Sequence, residues 1–346
     1  MTSLLIIVMV LNFGACAKPE EQRYEASFLD VFDTMTKIIG YAKNEDEFKQ
    51  YAQMIHDQLK EYHELYDIYN DYPGINNIKT INDNAAIAPV KVDKKLIDLI
   101  LLSKNAEYMT NDKINIAFGS VLKVWHKYRT EGLDDPENAK LPPMEMLKEK
   151  AKHTDINNVI VDEEKSTVYL KDPEMSLDVG AIAKGYATEQ VSIYAQEHGF
   201  KNGMLSVGGN IRTIGEKLDG KNKDNTWSVG IQNPDLESKK KNLYILGLND
   251  YSLVTSGVYE RFYTVNDKQY HHIIDPDTLM PANYYLSVSI VCKDSGMADA
   301  LSTSIFNMPY DEGLKLIESL KYAEALWVLK DGTMKSTPGF EKFIKK

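Results

Sequence analysis

Apolar residues recur every three or four positions through much of the first half of the chain, which is the spacing of a helix with one buried face. Between Asn44 and Tyr69 this spacing predicts a long amphipathic helix, and Tyr72-Pro73-Gly74 is a signal for its end. The same spacing predicts a second helix near residues 94–109 and a third over roughly 117–128.

From Val159 onward the apolar runs become short and alternate with polar residues, which is typical of strands. Strands are predicted at 159–161, 167–170, 204–207, 211–214, 227–232, 244–248, 253–255, 262–265 and 269–274. Further helices are predicted at 185–197, 298–307 and 311–320, and a last hairpin turns at Asp331-Gly332. Helices followed by strands predict an α+β fold with a single catalytic domain, in which N-terminal helices pack on a strand-rich body.

Composition and charge narrow the classes of function. The chain has 346 residues, of which 43% are hydrophobic and 26% charged, as in a globular protein. The net charge is −11, and no basic stripe runs along the chain. Because phosphate neutralisation needs a basic patch, we expect no nucleic-acid partner and no polybasic membrane patch.

The N-terminus has the pattern of an export signal. Residues 4–13 are mostly apolar and precede Gly14-Ala15-Cys16, which resembles the end of a bacterial lipoprotein signal. We therefore predict a signal peptide at 1–16, a tether at 17–24 and a catalytic domain at 25–346. Lipidation of Cys16 would anchor the protein to the cell membrane on its extracytoplasmic face. The other cysteine, Cys292, lies in an alternating run and is predicted to be buried.

One segment, residues 176–188, combines a carboxylate with a helix start. Asp178 ends a short apolar run, and Lys184-Gly185 opens a predicted helix whose first amides favour an anion. A phosphate ligand with a bound cation would suit both features. A tight turn with Asp178 as helix N-cap explains the same pattern.

A second candidate site lies about a hundred residues downstream. Asp299 and Thr303 are four residues apart, so both oxygens lie on one helix face, where they could bind Mg²⁺. The alternative is a first-turn Asp that interacts with the helix dipole. Thr255-Ser256-Gly257 could bind phosphate or form an ordinary turn.

Two further features bear on the chemistry. One of His271 and His272 must face inward, either as a base near phosphate or as a buried structural histidine. Gly208-Gly209 allows close approach by a ligand or a strand. Rossmann, P-loop, serine-hydrolase and zincin signatures do not occur, which disfavours those classes of enzyme.

Taken in order, these segments resemble the FAD:protein FMN transferase family, also called ApbE or flavin transferases. The resemblance covers about residues 25–335 and rests on the motifs Phe32–Thr34, Asp178–Tyr186, Ser206–Gly209, Trp227–Ile231, Thr255–Gly257, His271–Pro276 and Ala298–Thr303. It implies transfer of FMN from FAD to a Thr or Ser hydroxyl of a target protein, with release of AMP and dependence on Mg²⁺.

The resemblance also implies roles for individual residues. The metal ligands that it implies are the carbonyl of Ala181 with Asp299 and Thr303. For the catalytic residues, we expect Asp299 to act through the metal and His272 or a nearby carboxylate to assist the acceptor hydroxyl. The residues that it places around FAD are Phe32, Tyr72 (with Tyr69 as a rival), Lys113, Ile114, Asn115, Asp178, Lys184, Thr255, Ser256, Gly257, His272 and Ile273. Three segments depart from the family pattern: Phe32-Asp33 replaces Met-Gly, Lys113-Ile114-Asn115 replaces Ala-Phe-Asp, and Leu279-Met280 replaces a Thr-Gly-Tyr turn.

The leading hypothesis is an exported, membrane-tethered flavin transferase that matures envelope redox flavoproteins. One alternative is an FAD pyrophosphatase that gives FMN and AMP. Another is a flavin-binding lipoprotein without turnover.

Overall fold

The computed structural model describes residues 6–7, 21–220 and 224–345. Its α-helices are α1 (Glu45–Tyr66), α2 (Ile78–Asp83), α3 (Lys94–Met109), α4 (Gly119–Asp134), α5 (Met144–Lys150), α6 (Ala183–Glu197), α7 (Ser295–Phe306) and α8 (Tyr310–Leu320). Short 3₁₀ turns lie at Pro136–Asn138, Ala151–His153, Ile156–Asn158 and Phe340–Phe343.

The strands are β1 (Ile6–Ile7), β2 (Gln22–Val31), β3 (Thr34–Ala42), β4 (Val90–Lys91), β5 (Val159–Asp162), β6 (Thr167–Leu170), β7 (Gly203–Val207), β8 (Asn210–Ile214), β9 (Trp227–Gln232), β10 (Asn242–Leu248), β11 (Ser252–Gly257), β12 (Phe262–Val265), β13 (Lys268–His271), β14 (Tyr285–Cys292), β15 (Glu324–Leu329) and β16 (Met334–Ser336). Nine of them form one sheet in the order β1-β2-β3-β7-β8-β11-β14-β15-β16, and neighbours are antiparallel. The mixture of helices and one large sheet confirms the predicted α+β class.

The two faces of the sheet have different partners, because successive side chains on a strand point to opposite sides. On β3, Ile38 packs into the core beneath α1 and α6, whereas Ile39 packs under the β9–β10 hairpin. On β15, Trp327 likewise faces α7 and α8, and Leu326 faces the β9–β10 side. The helical face carries α6 and α7, which contact each other and position the site.

The first elements differ from those predicted. The hairpin β2–β3 precedes every helix of the described chain, and residues 22–24 belong to β2 rather than to a tether. The alternation of buried Tyr24, Ala26 and Phe28 was a readable signal for this strand. Cys16 and most of the predicted signal peptide lie outside the described residues.

The remaining predictions are close to the structure except at some boundaries: α4 continues to Asp134 instead of ending near residue 128, and α7 begins at Ser295 instead of residue 298. The predicted strand 269–274 ends at His271, because the chain then leaves the β12–β13 ladder: the backbone N–H of Ile273 donates to Nδ1 of His271, and Ile274 bridges to Pro281. The short helices α2 and α5 carried too few apolar repeats to be predicted. Within the described ranges, no helix has both the length and the apolar character needed to cross a bilayer.

Candidate active site

A cavity of about 570 Å³ opens between the helical face of the sheet and α4. It brings together residues from the β2–β3 turn, the loop before α4, the start of α6, the end of β11, the segment after β13 and one face of α7. The predicted site residues among those that line it are Phe32, Lys113, Ile114, Asn115, Asp178, Ala181, Lys184, Thr255, Ser256, Gly257, His272, Ile273, Asp299 and Thr303. Segments as far apart in the sequence as Phe32 and Thr303 therefore meet, as the motifs predict.

The start of α6 and the side of α7 that faces it form one corner of this cavity, which we call the α6–α7 corner: Ala181, Lys184, Gly185, Asp299 and Thr303. The backbone N–H of Gly185 donates to Oδ2 of Asp299 at 2.8 Å, so a first-turn amide of α6 is already bonded to a carboxylate of α7. Asp299 is only 5% exposed. Burial raises the pKa of its carboxyl, whereas the nearby Lys184 acts to lower it.

The hydroxyl groups beside Asp299 are linked to one another. The Oγ of Ser256 lies 2.9 Å from that of Ser302 and 3.5 Å from Oγ1 of Thr303, so the end of β11 is tied to the same face of α7. On the opposite side of β11, Oγ1 of Thr255 bonds the hydroxyl of Ser289 at 2.8 Å. These bonds hold the Thr255–Gly257 segment against the corner.

The α6–α7 corner has the oxygen atoms to hold a magnesium ion whose other ligands would be phosphate and water. Among the described residues no three His, Cys, Asp or Glu side chains cluster as a complete metal site. The corner instead offers one carboxylate, one hydroxyl and a backbone carbonyl, a sparse set of oxygens typical of Mg²⁺ that keeps positions for waters and phosphate. The buried carboxylate with a raised pKa is a group whose charged form a bound cation would stabilise.

His272 has one ring nitrogen engaged and the other available. Its Nδ1 lies 3.1 Å from the backbone carbonyl of Arg261; a carbonyl can only accept, so Nδ1 carries the proton and Nε2 keeps its lone pair. The ring lies deep in the cavity wall, where burial and the charge of Lys184 lower its pKa to about 3. His272 is therefore a neutral imidazole at pH 7.

His271 has a structural role, as one of the two readings of the pair anticipated. Its Nε2–H donates to the carbonyl of Ala282 at 2.8 Å, and its Nδ1 accepts from the backbone N–H of Ile273. The ring packs edge-on against Phe306 in the core. Both nitrogens are thus satisfied inside the protein.

Lys113 crosses from the α3–α4 loop to the segment after β13. Its Nζ lies 2.6 Å from Oδ2 of Asp277 and 3.3 Å from Oδ1 of the buried Asp275. Asn115 is held by bonds to the carbonyl of Thr154 and the N–H of Ala117. The departure from the family pattern at 113–115 therefore places an ion pair along this wall.

The structure places the two candidate tyrosines, Tyr69 and Tyr72, differently. Tyr69 lines the cavity, and its hydroxyl lies 3.0 Å from Nδ1 of His126. Tyr72, which the sequence favoured, does not line it; its hydroxyl donates to Oδ2 of Asp67 at 2.7 Å. Both residues follow α1, and sequence spacing alone could not decide which of them faces the cavity.

Asp178 is not the N-cap of α6. That helix begins at Ala183 after Ile182, and Oδ1 of Asp178 instead accepts from the N–H of Gly180 at 2.9 Å. Its Oδ2 points toward Nε2 of His126, 3.8 Å away. The carboxylate therefore belongs to the cavity rather than to a helix cap.

The sequence analysis missed one histidine and two arginines at the cavity wall. His126 and Arg129 lie on one face of α4, and Arg261 approaches from the segment before β12. Burial and the charge of Arg261 lower the pKa of Arg129, and in the described part of the chain neither guanidinium forms an ion pair. The i, i+3 spacing of 126 and 129 was the only available signal.

Two hairpin turns also contribute to the wall. Phe32 and Asp33 connect β2 to β3 with φ of 55° and 49°, a left-handed conformation that favours glycine. Gly208, at the β7–β8 turn, has φ of 56°, and a Cβ there would lie 2.7 Å from Oγ1 of Thr34. The close approach predicted for this pair of glycines is thus found at Gly208, against the first residue of β3, whereas a Cβ on Gly209 would meet no atom within 4 Å.

Comparison with known proteins identifies the family of this chain. The model of the ApbE family matches residues 32–327. The chain is 29% identical to the FAD:protein FMN transferase of Klebsiella pneumoniae over 81% of this chain and 82% of that protein. For the FAD:protein FMN transferase of Treponema pallidum the identity is 29%, over 97% and 92%.

Solved structures agree as well. The crystal structure of the ApbE protein from Thermotoga maritima superposes with a TM-score of 0.81 at 28% identity and covers 94% of this chain and 100% of that one. The flavin transferase ApbE from Vibrio cholerae, 22% identical, shares the fold with a TM-score of 0.75 over 93% and 99% of the two chains. The family model spans most of the chain and every segment that lines the cavity from the β2–β3 turn to α7, so this protein belongs to the ApbE family.

Proposed function

We propose that this protein is an FAD:protein FMN transferase, which moves FMN from FAD to a Thr or Ser hydroxyl of a target protein and releases AMP. The observation that carries the proposal is the meeting of Asp299, Thr303, Lys184 and His272 in one cavity of a chain from the ApbE family. The names of the relatives in Klebsiella and Treponema support the same activity.

Different residues of the site would bind the cation, supply positive charge and donate hydrogen bonds to phosphate. Asp299, Thr303 and the carbonyl of Ala181 would hold Mg²⁺, which when bound supplies charge neutralisation at the diphosphate of FAD. Lys184 adds a fixed positive charge beside the same corner. The hydroxyl of Ser256 and the amide of Gly257 would donate to phosphate oxygens, whereas the hydroxyl of Thr255 faces the other side of β11, toward Ser289.

In the transfer step the acceptor oxygen forms a bond to the FMN phosphorus, and the bond from that phosphorus to the oxygen of AMP breaks. The hydroxyl proton passes to Nε2 of His272, and AMP leaves with the electron pair of the broken bond. The pKa of His272 is about 3 in the free protein. A bound diphosphate opposes the charge of Lys184 and raises this pKa toward the range of an effective base.

The decisive experiment incubates the protein with FAD and Mg²⁺, with and without an acceptor polypeptide that bears Thr and Ser. We expect AMP release that depends on the acceptor, together with acceptor mass increased by one FMN. Equal AMP release without the acceptor would identify a pyrophosphatase, and bound FAD without AMP would identify a non-catalytic binder. Either result would contradict the proposal.

A matched pair of variants tests the hydroxyl at the α6–α7 corner. Thr303→Val removes Oγ1 while keeping the shape, and transfer should fall at limiting Mg²⁺. Thr110→Val is the control, because its hydroxyl bonds only to backbone carbonyls of its own helix. Equal activity of the two variants would contradict a role for Thr303.

The location and the partner are part of the proposal. The Gly14-Ala15-Cys16 motif supports a lipid anchor on the extracytoplasmic face, and the acceptors would then be envelope flavoproteins. Cys16→Ser should move the protein from the membrane fraction to the soluble fraction of cells. Retention in the membrane would contradict lipidation at Cys16.

A further inference from the structure

We propose that Glu189 and Arg212 are positioning residues, which set the distance between the two halves of the α6–α7 corner and thereby its affinity for Mg²⁺. This inference rests on the proposed function, because it concerns the cation site of that reaction. Neither side chain lines the cavity, so their effect would act through α6, α7 and β8.

Helices α6 and α7 exchange two bonds of the same kind. The N–H of Gly185 on α6 donates to Oδ2 of Asp299 on α7 at 2.8 Å. One turn farther along, the N–H of Ser295 on α7 donates to Oε2 of Glu189 on α6, also at 2.8 Å. On each helix the bonded amide and the bonded carboxylate are four residues apart. The two bonds therefore join the helices at two points, one turn apart.

Arg212 connects this contact to the sheet. Its Nε lies 3.0 Å from Oε2 of Glu189, and its second terminal nitrogen lies 3.3 Å from Oε1, so the pair is bidentate. A further guanidinium nitrogen donates to the carbonyl of Thr213 on β8. Both charged side chains are 8% exposed, so water cannot replace either partner.

The packing at this contact leaves little space for adjustment. A Cβ on Gly185 would lie 2.3 Å from the carbonyl oxygen of Ser295 and 2.4 Å from Cβ of Asp299. The two helices therefore touch through their backbones at the point where Asp299 is held. Any change in the anchor of Ser295 shifts the first turn of α7, and Asp299 and Thr303 move with it.

A buried ion pair is weak evidence for stability, because desolvation offsets its attraction. Orientation of ligands is a better-supported role for such groups, since partners behind a metal ligand typically change metal affinity by about 10–100-fold. We call the Glu189–Arg212 pair, with its bond to the N–H of Ser295, the brace. We expect its loss to weaken Mg²⁺ binding and not only to lower the free energy of unfolding.

The test uses two variants that avoid an unpaired buried charge. Glu189→Asp keeps the charge and shortens the arm, so one carboxylate cannot reach both Arg212 and the N–H of Ser295. The double variant Glu189→Leu with Arg212→Met replaces the pair by apolar side chains of similar volume. Asp172→Asn is the control, because Asp172 pairs with His153 on a different part of the surface.

Mg²⁺ is titrated by calorimetry into the full-length protein with saturating FAD and no acceptor, and the melting temperature is recorded in EDTA. We expect each brace variant to bind Mg²⁺ about tenfold more weakly than wild type and Asp172→Asn to match wild type. Excess Mg²⁺ should restore kcat in the brace variants. If the double variant fails to fold, the Mg²⁺ affinity of Glu189→Asp alone tests the proposal.

Wild-type Mg²⁺ affinity in a folded brace variant, even with a lower melting temperature, would overturn the inference and leave the pair a purely structural contact. Absence of Mg²⁺ binding by the wild-type protein would show that the α6–α7 corner is not a cation site, and the proposed role of the brace would fall with it. The two failures are therefore distinguishable by whether wild type binds the cation.

Discussion

At the scale of single residues, the chemistry depends on groups whose surroundings oppose their usual charge state. Asp299 is a buried carboxyl with a raised pKa, and His272 is a buried imidazole with a lowered one. Each lies beside Lys184, which favours the carboxylate and disfavours the imidazolium. Both arrangements suit a site that receives a cation at one residue and a proton at the other.

Replacement of Asp299 should separate stability from metal binding. Asp299→Asn keeps an oxygen that can accept from the N–H of Gly185 but removes a charge that burial disfavours. We expect the melting temperature without metal to stay the same or rise. The wild-type protein should gain about 2.7 kcal/mol at a hundredfold excess of Mg²⁺ over its Kd, and the variant should gain nothing.

Thermal unfolding with and without Mg²⁺ in the presence of FAD measures this difference, and FMN transfer should be abolished in parallel. Metal-dependent stabilisation of Asp299→Asn equal to that of wild type would remove Asp299 from the metal site.

His272 should make the free protein sensitive to acid. Its pKa is lowered in the folded state, so below the unfolded value near 6.5 the unfolded chain takes up a proton that the folded chain does not. This part of the stability is present above pH 6.5 and is lost as the pH falls toward 3. His272→Gln should therefore lose less stability than wild type on acidification.

Urea unfolding of both proteins at about pH 7 and about pH 5 measures this contribution. The same variant should lower kcat by about 10²–10⁴-fold if His272 accepts the proton of the acceptor. If the free energy of unfolding of wild type and of His272→Gln fell equally between these pH values, the fold would not be holding the imidazole of His272 neutral.

At the scale of elements, the local pattern was sufficient to predict α1, α3, α6 and α7, because each carries its own helical spacing. It could not predict that α6 and α7 touch at Gly185, since that contact joins residues more than a hundred positions apart. The β2–β3 hairpin was missed although its alternation was present, because the segment before it suggested a tether.

A methyl group at Gly185 should separate these helices. The ideal Cβ would lie 2.3 Å from a backbone oxygen of α7, and neither backbone can move without disturbing the core. Gly185→Ala should destabilise the protein by about 1–3 kcal/mol and weaken Mg²⁺ binding. Unfolding in urea and calorimetric titration are the two measurements.

Gly313→Ala is the matched control on α8, where the nearest atom to the new Cβ, the Cβ of Ile305, is 3.2 Å away and belongs to a side chain. Its helix propensity rises, and Ile305 has to move by only a few tenths of an ångström, whereas at Gly185 a backbone oxygen blocks the methyl group. Similar losses in the two variants would mean that the α6–α7 contact has no special role.

At the scale of the whole molecule, the site is an assembly of segments that the fold brings together from the β2–β3 turn to α7. The residues of the motifs could be predicted because they stand in short, ordered segments of the sequence. His126, Arg129 and Arg261 could not, because only the arrangement of α4 against the sheet places them on the cavity wall, and for the same reason Tyr69 was named only as a rival of Tyr72. The charge of the chain, −11 overall, gives no indication of the two arginines on this wall.

The most direct measurement is an anomalous difference map from crystals soaked with Mn²⁺ and FAD, since Mn²⁺ takes the same oxygen ligands as Mg²⁺ and scatters anomalously. The account predicts one strong peak bounded by Asp299, Thr303 and the carbonyl of Ala181, in contact with the diphosphate. A diphosphate bound in the cavity with no peak at these three residues, or a peak elsewhere, would contradict it.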